Sequence, residues 1–595
     1  MTATQADTAI EVDAVEVFEQ WFTKFAAALT TPGTPGLKEL IAPDGWWRDF
    51  VGLDWQLASY QSPETIAEFV ASAPQGSVIR AEAVADPGPT FVDAGEMGWV
   101  EGFFSFETEV VEARGHVRLV KQADGEYRSW TVLTAVDSLK SHPMQTRHRR
   151  RRPGRDAHLE PWHVRQADKS SFDRPDPRVL VIGAGGGGLS VGACLETMGI
   201  DTLLVEKNER VGDNWRNRYE ALVLHSPCVS DELPFMGYPS NWPLYPTKEK
   251  YGDWLESFQK ASDVNVWTSS EVVEATFDPH AKRWTVRIDT PAGERVLHPE
   301  ELIVATGFSG KAKLPDVPGV DAFKGRIMHS QDYRSADGFE GKKAVVVGAG
   351  TSAHDIAEDL YHRGVEVTMI QRSGSYIMSR EGGNSVLYME TFHEDALPKE
   401  WLDLQAMSFP WPLAMQMAPA QTARIAEIDK ELLDGLRGVG FELIAGDPVV
   451  GPNSGLLSLG IREGGPGNYY IDAGASQLII DGKIKLRSGV GLVGYTETGV
   501  KLSDGSEIEA DLVLCATGFE TLREASQAFL GEEVVSQLPP LGGLDHRNER
   551  SLQYQPSGYP RLRFTGGGLY EVRQYSKFVA IQVAAEMTGE DGKGN

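Results

Sequence analysis

The sequence predicts an α/β protein with two parallel-sheet units of one design, preceded by a separate α+β domain. Each unit shows the same order of features: an apolar run, a glycine-rich turn, a helical segment and a second apolar run. The order occurs over residues 179–206 and again over residues 344–371. Residues 14 to about 140 instead carry one amphipathic helix followed by closely spaced strand-like runs. The repeated pattern is typical of Rossmann-like dinucleotide-binding domains.

The N-terminal domain, residues 1–140, begins with a helix predicted over residues 15–29. Strand-like runs follow, and Gly125 lies in a turn that predicts a hairpin between residues 117–121 and 127–132. One helix packed on a curved antiparallel sheet would make a cone with an apolar pocket. Aromatic residues are dense here, and for each of them we favour core packing over a ligand pocket. They are Trp46, Trp47, Phe50, Trp55, Trp99, Phe103, Phe104, Phe106 and Trp130.

A basic block at residues 147–155 lies in the segment 141–177 that joins this domain to the rest. It could be a nuclear signal or a nucleic-acid tail. Because the chain is strongly acidic and the block ends in Pro153 and Gly154, we favour a linker that lies on an acidic surface.

The first glycine turn has the residues that a dinucleotide requires. Gly183 permits the tight turn, Gly185 lets the backbone approach a pyrophosphate, and Gly188 lets the helix pack closely on the strand. Glu206 ends the second apolar run, where a carboxylate accepts hydrogen bonds from ribose hydroxyls. We therefore predict FAD at this unit, with residues 178–335 as the first part of its domain.

The second turn, Gly348 to Ala353, keeps the spacing but ends differently. The position that matches Glu206 is Gln371, and Arg372 follows it, so an acid is replaced by a neutral amide beside a guanidinium. A guanidinium suits the 2′-phosphate of NADPH, whereas Gln371 could bond a ribose hydroxyl and allow NADH as well. An ordinary solvated arginine is the alternative for Arg372. We predict a nicotinamide-binding domain over residues 336–500.

Two further strands end in the same tripeptide, Ala-Thr-Gly, at residues 305–307 and 516–518. Their pairing suggests that the chain leaves one nucleotide domain and returns to it, with residues 501–595 as the second part of the FAD domain. We assign cofactor contacts to these segments and to the two turns. The assigned residues are Gly183, Gly185, Gly188, Glu206, Lys207, Trp215, Arg216, Thr306, Gly348, Gly350, Thr351, Ser352, Gln371, Arg372, Thr517, Gly518 and Gly566.

Residues 376–500 are an insertion that either roofs a substrate channel or forms a packed helical lobe. Within it, residues 477–480 are predicted to be a strand.

The string Phe323-Lys324-Gly325-Arg326-Ile327-Met328-His329-Ser330-Gln331-Asp332-Tyr333 precedes the second glycine turn. It resembles the fingerprint of flavin-containing and Baeyer-Villiger monooxygenases, and a final Tyr resembles the flavin-containing group. Residues 224–227, 232–234 and 245–248 are similar to plant YUCCA-type and bacterial type II members. The N-terminal domain resembles the SnoaL-like or NTF2-like extension of type II enzymes.

The resemblance implies that NADPH reduces FAD, that the reduced flavin forms a C4a-(hydro)peroxide with O2, and that one oxygen atom enters a small organic substrate. It implies Baeyer-Villiger oxidation of ketones together with oxygenation of sulfides or amines, with decarboxylation of 2-oxo acids as a YUCCA-like alternative. His225 stands where many members have Asn, so we name it a catalytic candidate; a loop histidine satisfied by backbone is the alternative. His329 is either a proton carrier or an interdomain strut, and we favour the strut.

Charge and cysteine content exclude other classes. A net charge of -28 argues against nucleic acid and anionic membrane as partners. No apolar run reaches the ~20 residues of a membrane span, and residues 1–13 do not resemble a signal peptide. The three cysteines are far apart, which favours a cytoplasmic protein and argues against a disulfide reductase. We predict no metal site. A homodimer and a non-catalytic flavin sensor stay open.

Overall fold

The N-terminal domain is an α+β unit, as predicted; the computed structural model describes residues 12–95, 97–150, 161–393 and 395–591 of the chain. Its sheet has the order β2-β1-β7-β6-β5-β3, with β4 on β5, and only the β1–β7 pair is parallel. The predicted helix and hairpin are confirmed, and Lys121 pairs with Tyr127 beside the turn. The elements are α1 (Ala14–Thr30), β1 (Ile41–Phe50), β2 (Leu57–Gln61), α2 (Pro63–Ala71), β3 (Arg80–Ala83), β4 (Thr90–Ala94), β5 (Met97–Glu107), β6 (Val111–Lys121) and β7 (Tyr127–Leu139).

Helix α1 covers one face of this sheet because its aromatic residues recur at helical spacing. Phe25 packs on Trp47 and Phe104, with ring centroids 5.8 Å and 5.5 Å away. The nine aromatic residues named in the sequence analysis are buried, as core packing requires. The likeness to the NTF2-like fold stays a prediction.

Residues 151–155 of the basic block lie outside the described residues. In its described part, Arg147 pairs with Glu400 and Arg149 pairs with Glu112. These contacts agree with a linker that lies on acidic surface.

The first glycine turn belongs to a five-stranded parallel sheet of order β10-β9-β8-β14-β25. A three-stranded antiparallel sheet, β11-β12-β13, lies between β10 and β14 in the chain. The elements are α3 (Trp162–Ser170), β8 (Val179–Ile182), α4 (Gly186–Thr197), β9 (Thr202–Val205), α5 (Asp213–Arg216), α6 (Lys248–Ala261), β10 (Val266–Trp267), β11 (Glu271–Asp278), β12 (Arg283–Thr290), β13 (Gly293–Leu297) and β14 (Glu301–Val304); β25 comes later in the chain, at Leu562–Phe564.

The second glycine turn belongs to another five-stranded parallel sheet, of order β15-β24-β16-β17-β20. A second three-stranded antiparallel sheet, β21-β22-β23, precedes β24. The elements are β15 (Arg326–His329), β16 (Lys343–Val347), α7 (Thr351–His362), β17 (Glu366–Gln371), β18 (Tyr376–Ser379), α8 (Arg380–Asn384), α9 (Lys399–Met407), α10 (Trp411–Ile428), α11 (Lys430–Gly438), α12 (Gly455–Ile461), β19 (Tyr469–Asp472), α13 (Ala475–Ile480), β20 (Lys485–Ser488), β21 (Leu492–Tyr495), β22 (Gly499–Leu502), β23 (Glu507–Glu509), β24 (Leu512–Cys515), α14 (Leu522–Gln537) and α15 (Leu569–Thr588).

The placement of the two strands that precede the Ala-Thr-Gly segments, β14 and β24, differs from the prediction. Strand β24 pairs with β15 and β16 in the second sheet, so it is not a return to the first sheet, and the boundary placed at residue 501 does not follow the sheets. Likewise β15, placed in the first domain, is the edge strand of the second sheet. The tripeptide occurs twice because β14 borders the first turn as β24 borders the second. The chain returns to the first sheet at β25.

The insertion is largely helical, and residues 477–480 lie in α13 rather than in a strand. Asp472 accepts the backbone N–H of Ser476 at 3.0 Å, which caps the segment, and Ile479 is buried. Local capping and packing therefore override the β propensity of the apolar run. Among the described helices, none is long and apolar enough to cross a membrane.

Candidate functional site

Both glycine turns open onto one cavity of about 2460 Å³. A typical small-molecule pocket has roughly 300–1,000 Å³, so this cavity has room for more than one ligand. Its walls come from both parallel sheets, the helical insertion and the N-terminal domain.

The first turn fits a dinucleotide. Gly183 has φ +104°, and a Cβ there would lie 2.6 Å from the carbonyl oxygen of Ala305, so only glycine lets β14 approach this closely. A Cβ at Gly188 would clash with the carbonyl group of Gly183. Gly185 is the N-cap residue of α4, whose first N–H groups point toward the turn as a pyrophosphate site requires.

Glu206 directly follows β9 and is buried beside the turn. Its Oε2 accepts the backbone N–H of Ala184 at 2.9 Å, and its Oε1 accepts the backbone N–H of Asn208 at 3.0 Å. The carboxylate thus fixes the turn as well as lining the cavity. Lys207, the next residue, also lines the cavity.

Of the two cofactor contacts predicted shortly after Glu206, only one lines the cavity. Trp215 lines the cavity, as expected. Arg216 does not: its guanidinium forms ion pairs with Asp213 and Asp253 at 2.8 Å and with Glu256 at 3.1 Å. The assignment of Arg216 to cofactor binding is therefore wrong in this geometry, because acidic residues of α5 and α6 hold its charge away from the cavity.

The second turn repeats the design of the first. Gly348 has φ +128°, a Cβ there would lie 2.5 Å from the carbonyl oxygen of Ala516, and Gly350 is the N-cap residue of α7. Thr351 and Ser352 begin that helix, and both line the cavity.

Gln371 and Arg372 point in different directions. Arg372 is exposed to the cavity, and within the described chain no ion pair holds its guanidinium. Gln371 is fully buried and does not line the cavity: its amide donates to the carbonyl of Glu442 at 2.8 Å and accepts from the Ser488 hydroxyl at 2.8 Å. The expectation that Gln371 bonds a ribose hydroxyl is thus wrong, because its hydrogen bonds are already used.

The Ala-Thr-Gly segments and Gly566 lie where the two sheets face the cavity. Thr306 has a buried hydroxyl oxygen with no hydrogen-bond partner in the described part of the chain, which suits a bound polar group. Thr517 instead donates its hydroxyl to the carbonyl of Lys313, and Gly518 accepts from His329. Gly566 precedes α15, which begins at the cavity wall.

His329 links segments of the second sheet, so it acts as a strut within one domain rather than as the favoured strut between domains. Its Nε2 lies 3.0 Å from the carbonyl oxygen of Gly518, and its Nδ1 accepts the backbone N–H of Gln331 at 3.1 Å. Burial lowers the pKa of His329 below its usual value, so the neutral ring that fits these two bonds is stabilised. The ring is not part of the cavity wall, so a catalytic role finds no support in the geometry.

His225 lines the cavity and is held by a residue that the sequence did not single out. Its Nε2 lies 3.2 Å from Oδ2 of Asp355, on α7 of the second sheet, and Tyr219 donates its hydroxyl to the same oxygen at 2.7 Å. Burial acts to lower the pKa of His225, but the charge and hydrogen bond of Asp355 outweigh it and raise that pKa. Tyr219, Asp355 and His225 form what we call the interdomain triad.

Sequence reasoning missed Asp355 and Tyr219 because their link spans 136 residues. The one available signal was the acidic residue on the first turn and a half of the helix that follows the second glycine turn. Such a residue faces the neighbouring domain if two nucleotide sites adjoin. Asn384, which donates its side-chain amide to the carbonyl of His225 at 2.7 Å, was missed for the same reason.

Comparisons with known proteins agree with this geometry. The model of the flavin-binding monooxygenase-like family matches residues 176–394. Indole-3-pyruvate monooxygenase YUCCA1 of Oryza sativa subsp. japonica is 30% identical over 370 residues, which cover 61% of this chain and 82% of that protein. Probable indole-3-pyruvate monooxygenase YUCCA4 of Arabidopsis thaliana is 28% identical over 445 residues, covering 72% and 94%.

Among solved structures, the closed crystal structure of cyclohexanone monooxygenase aligns with a TM-score of 0.50 at 17% identity. The alignment covers 70% of this chain and 85% of that one. This likeness concerns the fold alone, and it agrees with two adjoining nucleotide domains.

Proposed function

The chain belongs to the flavin-containing monooxygenase family and is an FAD- and NADPH-dependent monooxygenase, and from this we propose that it inserts one oxygen atom into a neutral organic substrate, a ketone, a sulfide or an amine. The observation that supports the neutral substrate is the distribution of charge in the cavity. Five arginines of the wall are paired with a carboxylate: Arg48 with Glu549, Arg118 with Glu101, Arg424 with Glu390, Arg462 with Asp447 and Arg550 with Glu571.

Four cations of the cavity wall form no ion pair in the described part of the chain: Lys207, Arg218, Arg334 and Arg372. Lys207 directly follows Glu206, and Arg372 directly follows the strand after the second glycine turn. An anionic nucleotide therefore finds free cations, whereas an anionic substrate would have to compete with the carboxylates that already hold Arg48, Arg118 and Arg550.

FAD and NADPH, when bound, supply the electrons that activate O2, so that one oxygen atom enters the product and the other leaves as water. The chain's own groups bind and orient them. The N-termini of α4 and α7 receive the pyrophosphates, Glu206 faces a ribose without a 2′-phosphate, and Arg372 stands where a 2′-phosphate is recognised.

The wall between the two nucleotide sites must also exclude water. Tyr388 and Tyr570 line the cavity with ring centroids 5.9 Å apart, and Leu387 and Leu569 are their neighbours there. The interdomain triad holds the loop that contains His225 against α7, so it fixes the spacing of the two sites. A positively charged His225 beside the cavity would favour a developing negative charge on a reacting oxygen.

The test is turnover with NADPH and a panel of one ketone, one sulfide, one amine and one 2-oxo acid, with oxygen-18 gas as tracer. We expect one labelled oxygen atom in the ketone or sulfide product. Consumption of NADPH that yields only hydrogen peroxide with all four compounds would refute the proposal. Labelled product from the 2-oxo acid alone would instead assign the activity that the names of the plant relatives describe.

A further inference from the structure

The cavity has a compartment between the N-terminal domain and helix α10. We call it the distal chamber and define it by Met97, Trp99, Phe409, Trp411 and Met417, all of which line the cavity. Met97 and Trp99 lie on β5, Phe409 precedes α10, and Trp411 and Met417 lie on that helix. The N-terminal domain is thus part of the same cavity as the cofactor turns.

Buried ionic contacts fix this domain to the core. The guanidinium of Arg48 pairs with Glu549 at 2.7 Å, and both side chains are at most 3% exposed. The same guanidinium donates to the backbone carbonyls of Met407 and Phe409, each at 2.8 Å. Because a charge this deeply buried is tolerated only when it is paired, the wall cannot move away without a large loss of stability.

The chamber is apolar and aromatic, and its charges are compensated. The Arg118 guanidinium lies 3.8 Å from the ring centroid of Phe409 and pairs with Glu101 at 3.2 Å. Trp411 lies between two other arginines, 5.3 Å from Arg48 and 4.7 Å from Arg550. Such walls favour a neutral ligand with an aromatic or extended apolar body.

One polar group of the chamber wall, the indole N–H of Trp411, is buried without a partner in the described part of the chain. Trp411 is 8% exposed. A buried donor without an acceptor costs free energy, which an ether or carbonyl oxygen of a ligand would recover.

We propose that the distal chamber binds the far end of the substrate, and that the substrate class is a neutral, elongated aromatic or apolar molecule with an oxygen acceptor at that end. The N-terminal domain then selects substrates by length. This inference rests on the proposed function, because the near end of the molecule must lie at the site of oxygenation.

The test compares methyl phenyl sulfide, which is too short to reach the chamber, with 4-methoxy-4′-(methylthio)biphenyl and its 4-methyl analogue. Met97→Trp and Met417→Trp fill the chamber, and Ile79→Trp is the matched control on the same domain, since Ile79 is 54% exposed and outside the cavity. Filling the space of one ring should raise the KM of both biphenyls roughly tenfold or more and leave that of methyl phenyl sulfide within about twofold. The control should change neither.

Trp411→Phe tests the donor, because it keeps an aromatic ring and removes the N–H group. We expect the KM of the methoxy compound to rise by about fivefold, and that of the 4-methyl analogue to stay within about twofold. Equal changes for the two biphenyls would refute the acceptor at the far end. In every variant, the rate at which NADPH reduces the bound FAD should match that of the unaltered enzyme, which shows that both nucleotide sites are intact.

Binding of the sulfone of the methoxy biphenyl to the enzyme with FAD and NADP⁺, measured by calorimetry, separates the two proposals, since a sulfone does not need to react. If the unaltered enzyme oxidises no sulfide but Met97→Trp still weakens sulfone binding about tenfold, the chamber is supported and sulfide oxygenation is wrong. If the sulfone binds both proteins equally, or if KM changes equally for short and long sulfides, the chamber proposal is overturned.

Discussion

Replacing Asp355 by Asn tests the interdomain triad. The change removes the carboxylate charge 3.2 Å from Nε2 of His225 and keeps an oxygen that can accept the Tyr219 hydroxyl. A hydrogen bond to a charged group contributes about 1.5–3 kcal/mol, against about 1 kcal/mol for a neutral one. We therefore expect a loss of about 1.5–3 kcal/mol where His225 is charged, and clearly less where it is neutral.

The pH dependence of this loss follows from the raised pKa of His225. A histidine whose pKa is higher in the folded than in the unfolded protein contributes stability that is fully present below the unfolded pKa, ~6.5. That contribution is lost as the pH rises through the folded pKa. The destabilisation by Asp355→Asn should consequently be largest near pH 6 and smallest near pH 9.

The assay is the thermal midpoint at both pH values, together with histidine C2-hydrogen exchange followed by mass spectrometry, which reports the titration of His225 itself. A loss of 1.5–3 kcal/mol corresponds to roughly 3–10 °C in a domain of this kind. Asp359→Asn is the matched control: it lies on the same helix and accepts the Tyr333 hydroxyl at 2.5 Å with no histidine partner. An equal loss at pH 6 and pH 9, or an unchanged His225 titration, would refute the reasoning.

Four further substitutions test the site. Arg372→Ala should raise the KM for NADPH at least tenfold more than the KM for NADH, as measured by steady-state kinetics. Gln371→Ala should leave the ratio of these two KM values unchanged, and it should lower the free energy of unfolding by about 1–3 kcal/mol, as measured by thermal unfolding. Glu206→Ala should weaken FAD retention, measured as flavin released on gel filtration, and full retention would contradict the assigned role. Arg48→Ala should destabilise by about 3–5 kcal/mol, because Glu549 is left buried and unpaired.

The glycine turns could be predicted from sequence because their geometry is local. At Gly183 and Gly348, a positive φ and a close strand exclude any side chain, so the residue type is dictated by its immediate surroundings. The apolar runs beside them predict parallel strands for the same reason. The α+β nature of the N-terminal domain was also readable, since the pattern of α1 and the turn at Gly125 are local signals.

Residues whose partners come from other segments could not be predicted in this way. Gln371 occupies the position that matches Glu206, at the end of its strand, but the carbonyl of Glu442, 71 residues later, accepts a hydrogen bond from its amide. Arg216 was close to the first turn in sequence, yet Asp253 on another helix holds its charge. Proximity to a motif therefore indicates a position near the ligand and not the direction of the side chain.

The interdomain triad matters more than any one of its residues, because its members come from different segments of the chain. His225 comes from the first nucleotide domain and Asp355 from the second, so the hydrogen bond between them exists only when the two domains are in their mutual position. The free energy of this hydrogen bond therefore stabilises the mutual position of the two domains. Because Asp355 of the second domain raises the pKa of His225, the charge at this point of the cavity wall depends on the alignment of both cofactor sites. Hydride transfer and water exclusion can both occur only when the two sites are aligned.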